Sequence, residues 1–131
     1  MCQSAPVADE IEAGARFLAE FQKYAPVQAA FWLKPSDEYG SYLYVASEQI
    51  NDENLDVAYG EVARLWQEMQ DPWFDPFRVK LIGADDRLAK AAAEARRRYP
   101  GRKPIQLRGT TFGGVSADEV YIYPPAPVPV N

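Results

Sequence analysis

The stretch VQAAFWLKPSDEYGSYLYVAS, residues 27–47, has the pattern of two strands separated by a turn. Residues 27–34 and 41–47 each alternate in side-chain character with a period of two, which is typical of β-strands. Between them, residues 35–40 read PSDEYG, and Pro, Ser, Asp and Gly are residues that favour turns. The stretch therefore predicts a β-hairpin with a loop of several residues, against which the rest of the chain must pack.

Three helices are predicted around this hairpin, over residues 9–25, 54–70 and 85–99. Apolar side chains recur three or four residues apart in each of them, which is the spacing of one helical face. The first helix has Asp9 and Glu12 at the spacing of a capping box and stops before Pro26. The third is rich in alanine, the residue with the highest helix propensity.

Three further strands are predicted, over residues 77–83, 104–109 and 119–123. The segment TTFGGVSAD, residues 110–118, is interpreted as a glycine-containing connection between the last two strands. The segment DPWFDPF, residues 71–77, contains two prolines and predicts a packed turn. We expect its aromatic residues Trp73, Phe74 and Phe77 to be buried.

The predicted order of elements is helix, strand, strand, helix, strand, helix, strand, strand. This order predicts an α+β fold in which a mostly antiparallel sheet of about five strands carries three helices, packed mainly on one face. A length of 131 residues without an obvious linker predicts a single globular domain, residues 1–131. Residues 1–8 are expected to fray, and the proline-rich residues 124–131 are expected to lie extended on the surface.

The sequence contains no histidine and a single cysteine, Cys2. Catalytic triads and zinc sites that need histidine are therefore excluded, and no intramolecular disulfide can form. The acidic pairs Asp37–Glu38 and Asp85–Asp86 have the chemistry of magnesium ligands, but neither has a recognisable third ligand. The start of a helix explains the second pair, because acidic residues are favoured there. We predict no catalytic residue, no metal and no cofactor.

No apolar run in the sequence approaches the ~20 residues that a membrane-spanning helix needs. Residues 1–25 are acidic and lack the pattern of a signal peptide. The composition therefore predicts a cytoplasmic protein without a membrane partner.

Charge is distributed unevenly along the chain, whose formal net charge is −5. Residues 1–75 hold four Lys or Arg against fourteen Asp or Glu, a net of −10, whereas residues 76–108 hold ten against three, a net of +7. The densest basic stretch is RRRYPGRK, residues 96–103. Cations in the last turn of a helix offset the partial charge of its unpaired carbonyls, which explains the stretch without a ligand. The alternative is an anion-binding site formed by Arg96, Arg97, Arg98, Arg102 and Lys103.

Aromatic and basic residues alternate with aliphatic residues in the predicted strands. If the aliphatic set of every strand faces the helices, the other set lies together on the opposite face of the sheet. Tyr, Trp and Arg are enriched in recognition surfaces because they combine a large contact area with a polar group. The predicted partner-binding face consists of Trp32, Tyr42, Tyr44, Arg78, Lys80, Arg108, Tyr121 and Tyr123.

These features predict a small non-enzymatic module that acts by protein association, as a homodimer or with another protein, through its aromatic and basic sheet face. The first alternative is a nucleic-acid-binding protein that uses the basic region 78–108. The second alternative is a metal-dependent hydrolase built on the acidic pairs.

Overall fold

A computed structural model of the chain describes residues 6–125. It contains three α-helices, five strands and one short 3₁₀ turn, in the order that the sequence predicts. The elements are α1 Ala8–Phe21, β1 Ala29–Pro35, β2 Tyr42–Ser47, α2 Leu55–Met69, the 3₁₀ turn Pro76–Arg78, β3 Val79–Gly83, α3 Arg87–Arg98, β4 Ile105–Phe112 and β5 Val115–Ile122. The predicted α+β class is confirmed.

The five strands form one sheet in the order β3-β2-β1-β5-β4. The predicted hairpin is present, since β1 and β2 pair antiparallel with Phe31 opposite Tyr44 and Leu33 opposite Tyr42. β5 pairs antiparallel with both β1 and β4, whereas β3 runs parallel to β2. The sheet is therefore mixed, and the parallel pair is joined through α2, because parallel neighbours need a long crossover connection.

Helices cover both faces of the sheet. On the face that we call the first, α1 and α2 pack over Trp32, Leu43 and Val45. On the second face, α3 packs over Phe31 and Leu33. Two of the three helices share one face, as expected, but the third covers the opposite one. The adjacent apolar residues FWL in β1 require this arrangement, because neighbouring residues of a strand point to opposite faces.

The hairpin formed by β4 and β5 is longer than predicted. Residues 110–118 are mostly strand, so the interpretation of this segment as a connection is wrong. Only Gly113 and Gly114 form the turn, and both have positive φ, at 57° and 86°. Two consecutive residues with positive φ match the right-handed twist of a hairpin, and glycine adopts that conformation without steric cost.

The N-cap of the first helix lies two residues before the predicted cap, Asp9. Val7 is its N-cap residue, and the Val7 amide donates to Oε1 of Glu10 at 3.0 Å. The predicted pair of Asp9 and Glu12 therefore lies inside the helix. Ala8 is already helical although we expected residues 1–8 to fray. Cys2, with the rest of residues 1–5, and residues 126–131 of the predicted extended tail lie outside the described residues.

The turn 71–77 buries only one of the three aromatic residues that we expected to be buried. Phe74 is buried and stacks on Phe17 with a centroid separation of 4.7 Å. Trp73 is 49% exposed and Phe77 is 86% exposed. The buried Asp71 accepts a hydrogen bond from the Trp73 amide and forms an ion pair with Arg16 of α1, so polar contacts at its start contribute to holding this turn.

Candidate functional site

The predicted partner-binding face does not exist as one surface, because its residues divide between the two faces of the sheet. Tyr121 pairs with Trp32 across β5 and β1, which places both on the first face. Tyr44 pairs with Phe31, which places it on the second face. The assumption that the aliphatic set of each strand meets the same helix layer is wrong. The aliphatic residues of β2 pack under α1 and α2, whereas those of β5 pack under α3.

Trp32 and Tyr123 belong to the interior. Trp32 is 5% exposed, and its Nε1 donates to the Tyr123 hydroxyl at 2.8 Å. That hydroxyl donates in turn to the carbonyl oxygen of Ile11 in α1 at 2.6 Å. Burial raises the pKa of Tyr123 well above its ordinary value. These contacts tie α1 to the sheet, so the structure gives both residues a role in packing.

Tyr121 and Arg108 lie on the first face, near the β4 edge of the sheet. Tyr121 is half-buried, and its ring meets that of Tyr123 edge-on with a centroid separation of 5.2 Å. Arg108 is exposed and pairs in register with Glu119 of β5. Both residues are therefore on the opposite side of the sheet from Tyr42 and Tyr44.

The remaining predicted residues do come together, on the second face at β2 and β3. The Arg78 guanidinium carbon lies 5.2 Å from the centre of the Tyr42 ring, and Nζ of Lys80 lies 5.1 Å from it. Lys80 also pairs in register with Tyr44. The Tyr42 hydroxyl donates to Oε1 of Glu38 at 2.9 Å, and this hydrogen bond raises the pKa of Tyr42 above its ordinary value.

Two exposed aromatic residues adjoin this cluster in the sequence and were not among the predicted site residues. Tyr39, in the turn before β2, is 81% exposed, and Phe77, in the 3₁₀ turn before β3, is 86% exposed. Their neighbours Gly40 and Arg78 lie close together, since a Cβ built on Gly40 would lie 3.1 Å from Nη1 of Arg78. We call the whole surface the Tyr42 patch. It comprises Tyr39, Tyr42, Tyr44, Phe77, Arg78 and Lys80.

The Tyr42 patch is open because the main contacts of α3 with the sheet are to β1 and β4, and not to β2 or β3. Tyr44 connects the patch to the core, since its ring stacks on the buried Phe31 with a centroid separation of 5.4 Å. The outer edge of β3 is protected, because the Leu81 amide donates to the Tyr59 hydroxyl of α2 at 3.0 Å. A partner would therefore meet the face of the patch more readily than the edge of its strand.

The basic cluster at the end of α3 lies at the opposite end of β1 from the Tyr42 patch. Arg96 is half-buried, and its guanidinium donates to the carbonyl oxygens of Gly101, Lys103 and Tyr123. Arg97 is exposed and forms an ion pair with Glu94. The cluster therefore includes one arginine that fastens the helix end to the sheet. The exposed cations around it are Arg97, Arg98, Arg102 and Lys103.

The acidic pairs take part in local structure. Asp86 is the N-cap of α3, and its Oδ1 accepts a hydrogen bond from the Leu88 amide at 2.9 Å, which confirms the interpretation of Asp85–Asp86 as a helix start. Glu38 accepts the hydrogen bond from Tyr42 described above. Within residues 6–125, no group of three or more Cys, Asp or Glu side chains is placed to hold a metal ion.

The comparisons with known proteins add no functional assignment. No helix in the described part of the chain is both long and apolar enough to cross a bilayer. No protein-family model, no curated protein and no solved structure matches this chain.

Proposed function

We propose that this chain is a non-enzymatic association module that forms a two-fold homodimer through the Tyr42 patch. The observation that carries the proposal is the placement of two cations, Arg78 and Lys80, at the ring of Tyr42, with the exposed residues Tyr39 and Phe77 in the adjoining segments. Phe77 is 86% exposed, and burying such a side chain in an interface contributes about 1.5–3 kcal/mol to the free energy of association.

The composition of the Tyr42 patch suits contact with a second copy of itself. In a two-fold dimer the same surface is used on both subunits, so each kind of residue must find its complement within one patch. Cations are attracted to the faces of aromatic rings, with a stabilisation of about 0.5–1 kcal/mol at exposed sites and more after desolvation. Arg78 and Lys80 of one copy can therefore meet Tyr39 and Phe77 of the other, and the reverse contact follows by symmetry.

Nucleic-acid binding is the weaker proposal, because the basic residues do not form one surface. Arg78 and Lys80 lie at one end of the sheet, and the cluster beginning at Arg96 lies at the other. Arg108 is on the opposite face. A nucleic-acid backbone is bound by cations that lie one after another along a groove or stripe of the protein surface.

The cytoplasmic location predicted from composition stays part of the association proposal and is testable by localising the tagged chain.

The test is sedimentation equilibrium of the full chain over a concentration range from about 1 μM to about 100 μM, which covers dissociation free energies of about 5.5–8.2 kcal/mol. We expect wild-type protein to dimerise and the double variant Tyr39→Ser, Phe77→Ser to be monomeric, with unchanged far-UV circular dichroism. The matched control is Val57→Ser, since Val57 is 65% exposed on α2, away from the patch. A monomeric wild type, or a dimer that both variants retain, would refute the proposal.

A further inference from the structure

A groove opens at the end of the sheet remote from the Tyr42 patch. It lies between α1 and α3, where β1 begins and β5 ends, and its volume is about 580 Å³. This volume is within the range of about 300–1,000 Å³ that small-molecule sites occupy. The groove exists because facing positions on the two helices carry alanine. These are Ala15 and Ala19 of α1 and Ala92 and Ala93 of α3.

Much of the remaining groove wall is also apolar, with Leu18, Val27 and Ile122 among its residues. No acidic side chain of residues 6–125 lines it, although the protein as a whole has nineteen Asp and Glu residues and a net charge of −5. An apolar surface without acidic residues is suited to an apolar ligand, and it does not repel an anionic group on that ligand.

One cation, Arg96, lines the groove. Its guanidinium donates to three carbonyl oxygens, of which that of Tyr123 lies at 3.2 Å. Carbonyl oxygens orient the guanidinium but do not neutralise it, and in the described chain no carboxylate forms an ion pair with Arg96. A positive charge held in place beside an apolar wall is stabilised by a carboxylate that brings its own apolar body.

Two glutamine side chains supply further donors at the same groove. Oε1 of Gln22 accepts from the Val27 amide at 3.0 Å, and Oε1 of Gln28 accepts from the Glu48 amide at 2.7 Å. Each of these oxygens already accepts one hydrogen bond, and the amino group of each side chain can only donate. Donors together with a cation match an acceptor-only ligand group such as a carboxylate.

We infer that this groove binds a small aliphatic monocarboxylate, with its carboxylate at Arg96 and its chain along the alanine walls. The apolar walls select the chain and the unneutralised guanidinium selects the charge. The site is independent of the Tyr42 patch, because it is formed at the other end of β1.

The test is titration of the ¹⁵N-labelled full chain with decanoate, followed by amide chemical shifts. Decan-1-ol and decylammonium serve as probes with the same chain but without the negative charge. We expect decanoate to bind with a dissociation constant below about 1 mM, and the other two probes to bind at least about tenfold more weakly. The shifted amides should lie in α1, in α3 and at the end of β5.

Two variants separate the chain from the charge. Ala93→Trp fills the groove from an exposed helix position and should abolish binding of decanoate, whereas Ala63→Trp, on an exposed position of α2 outside the groove, should not. Arg96→Gln should weaken decanoate binding about tenfold or more without weakening that of decan-1-ol, whereas Arg98→Gln should change neither. If Arg96→Gln does not fold, the wild-type preference for decanoate and the Ala93→Trp result decide the question.

Absence of decanoate binding to the wild type would overturn the inference, as would equal binding of decanoate and decylammonium. Decanoate binding that survives Ala93→Trp would overturn it as well. If the groove instead receives a second copy of the chain, Ala93→Trp would convert a dimer into a monomer and decanoate would not bind. That outcome is distinct from failure of the Tyr42 patch, whose variants leave the groove unchanged.

Discussion

Substitution of Gly14 by alanine tests the packing of α1 on the sheet. A Cβ built on Gly14 would lie 2.3 Å from the Tyr123 hydroxyl oxygen, so that hydroxyl must move. Moving it breaks its hydrogen bonds with Trp32 and Ile11, at 2.8 Å and 2.6 Å. Alanine at this position therefore competes directly with the contacts that join the helix to β1 and β5.

The expected magnitude follows from three contributions. Two hydrogen bonds lost at about 1 kcal/mol each, and overpacking of at least about 1 kcal/mol, destabilise the fold. The higher helix propensity of alanine offsets about 1 kcal/mol of this. We expect Gly14→Ala to lower the free energy of unfolding by about 2 kcal/mol.

Gly60 provides the matched control, because it lies inside α2 with nothing within 4 Å of a Cβ built on it. Gly60→Ala gains the same helix propensity without a clash and should raise the free energy of unfolding by up to about 1 kcal/mol. Urea denaturation followed by far-UV circular dichroism measures both variants without relying on tryptophan fluorescence, which the displaced contact to Trp32 would alter.

A double-mutant cycle with Tyr123→Phe isolates the cause. Without the hydroxyl, the nearest atom of residue 123 to the new Cβ is Cζ at 3.4 Å, an ordinary contact distance. Gly14→Ala should then be neutral or stabilising by up to about 1 kcal/mol, which gives a coupling energy of about 2–3 kcal/mol between the two positions. The reasoning is refuted if Gly14→Ala costs the same in both backgrounds, or if it behaves like Gly60→Ala.

Three further predictions concern single contacts. Burial raises the pKa of Tyr123, so the contribution of this residue to stability is complete below about pH 10, the ordinary tyrosine pKa, and is lost as the pH rises further. Urea titrations near pH 9 and pH 11 should therefore show a smaller loss of unfolding free energy for Tyr123→Phe than for wild type. Arg97→Glu should lower the free energy of unfolding by at most about 1 kcal/mol, since Arg97 is exposed near a helix end. Arg96→Ala should lower it by about 1–3 kcal/mol, because three carbonyl oxygens lose their donor. Equal destabilisation of the two variants in thermal denaturation would show that the carbonyl contacts are unimportant. Asp71→Ala should destabilise by about 1–3 kcal/mol through loss of the Arg16 ion pair and the bond from the Trp73 amide, and a urea midpoint within error of wild type would contradict this.

The kinds of secondary-structure elements and their order were predictable from local patterns in the sequence. Period-two alternation and a polar turn predict the β1–β2 hairpin, and apolar spacing of three and four residues predicts the three helices to within a few residues of their ends. These patterns are local, because the geometry of a strand or helix decides which of its own residues share a face. The double-glycine turn of β4 and β5 was also readable in the sequence as GG between alternating residues, but the strand prediction stopped short of it.

The candidate site was predictable only in part. Tyr42, Tyr44, Arg78 and Lys80 are brought together as expected, because β2 and β3 are neighbours and place them on one face. Phe77 was missed because an aromatic residue in a turn between two buried elements is usually part of the core. Here Asp75 accepts a hydrogen bond from the Phe77 amide within the 3₁₀ turn that leads into β3, and the ring is left outside.

How the faces of different strands combine depends on the tertiary structure. Alternation divides the residues of each strand into two sets, but only strand order and register determine which sets meet. Tyr121 joins the first face because it pairs with Trp32, and Tyr44 joins the second because it pairs with Phe31. The groove at Arg96 depends on the same non-local information, since α1 and α3 lie on opposite faces of the sheet and residues of both line the groove. Local sequence patterns do not predict such contacts, because the contacts arise from packing between segments that are far apart in the chain.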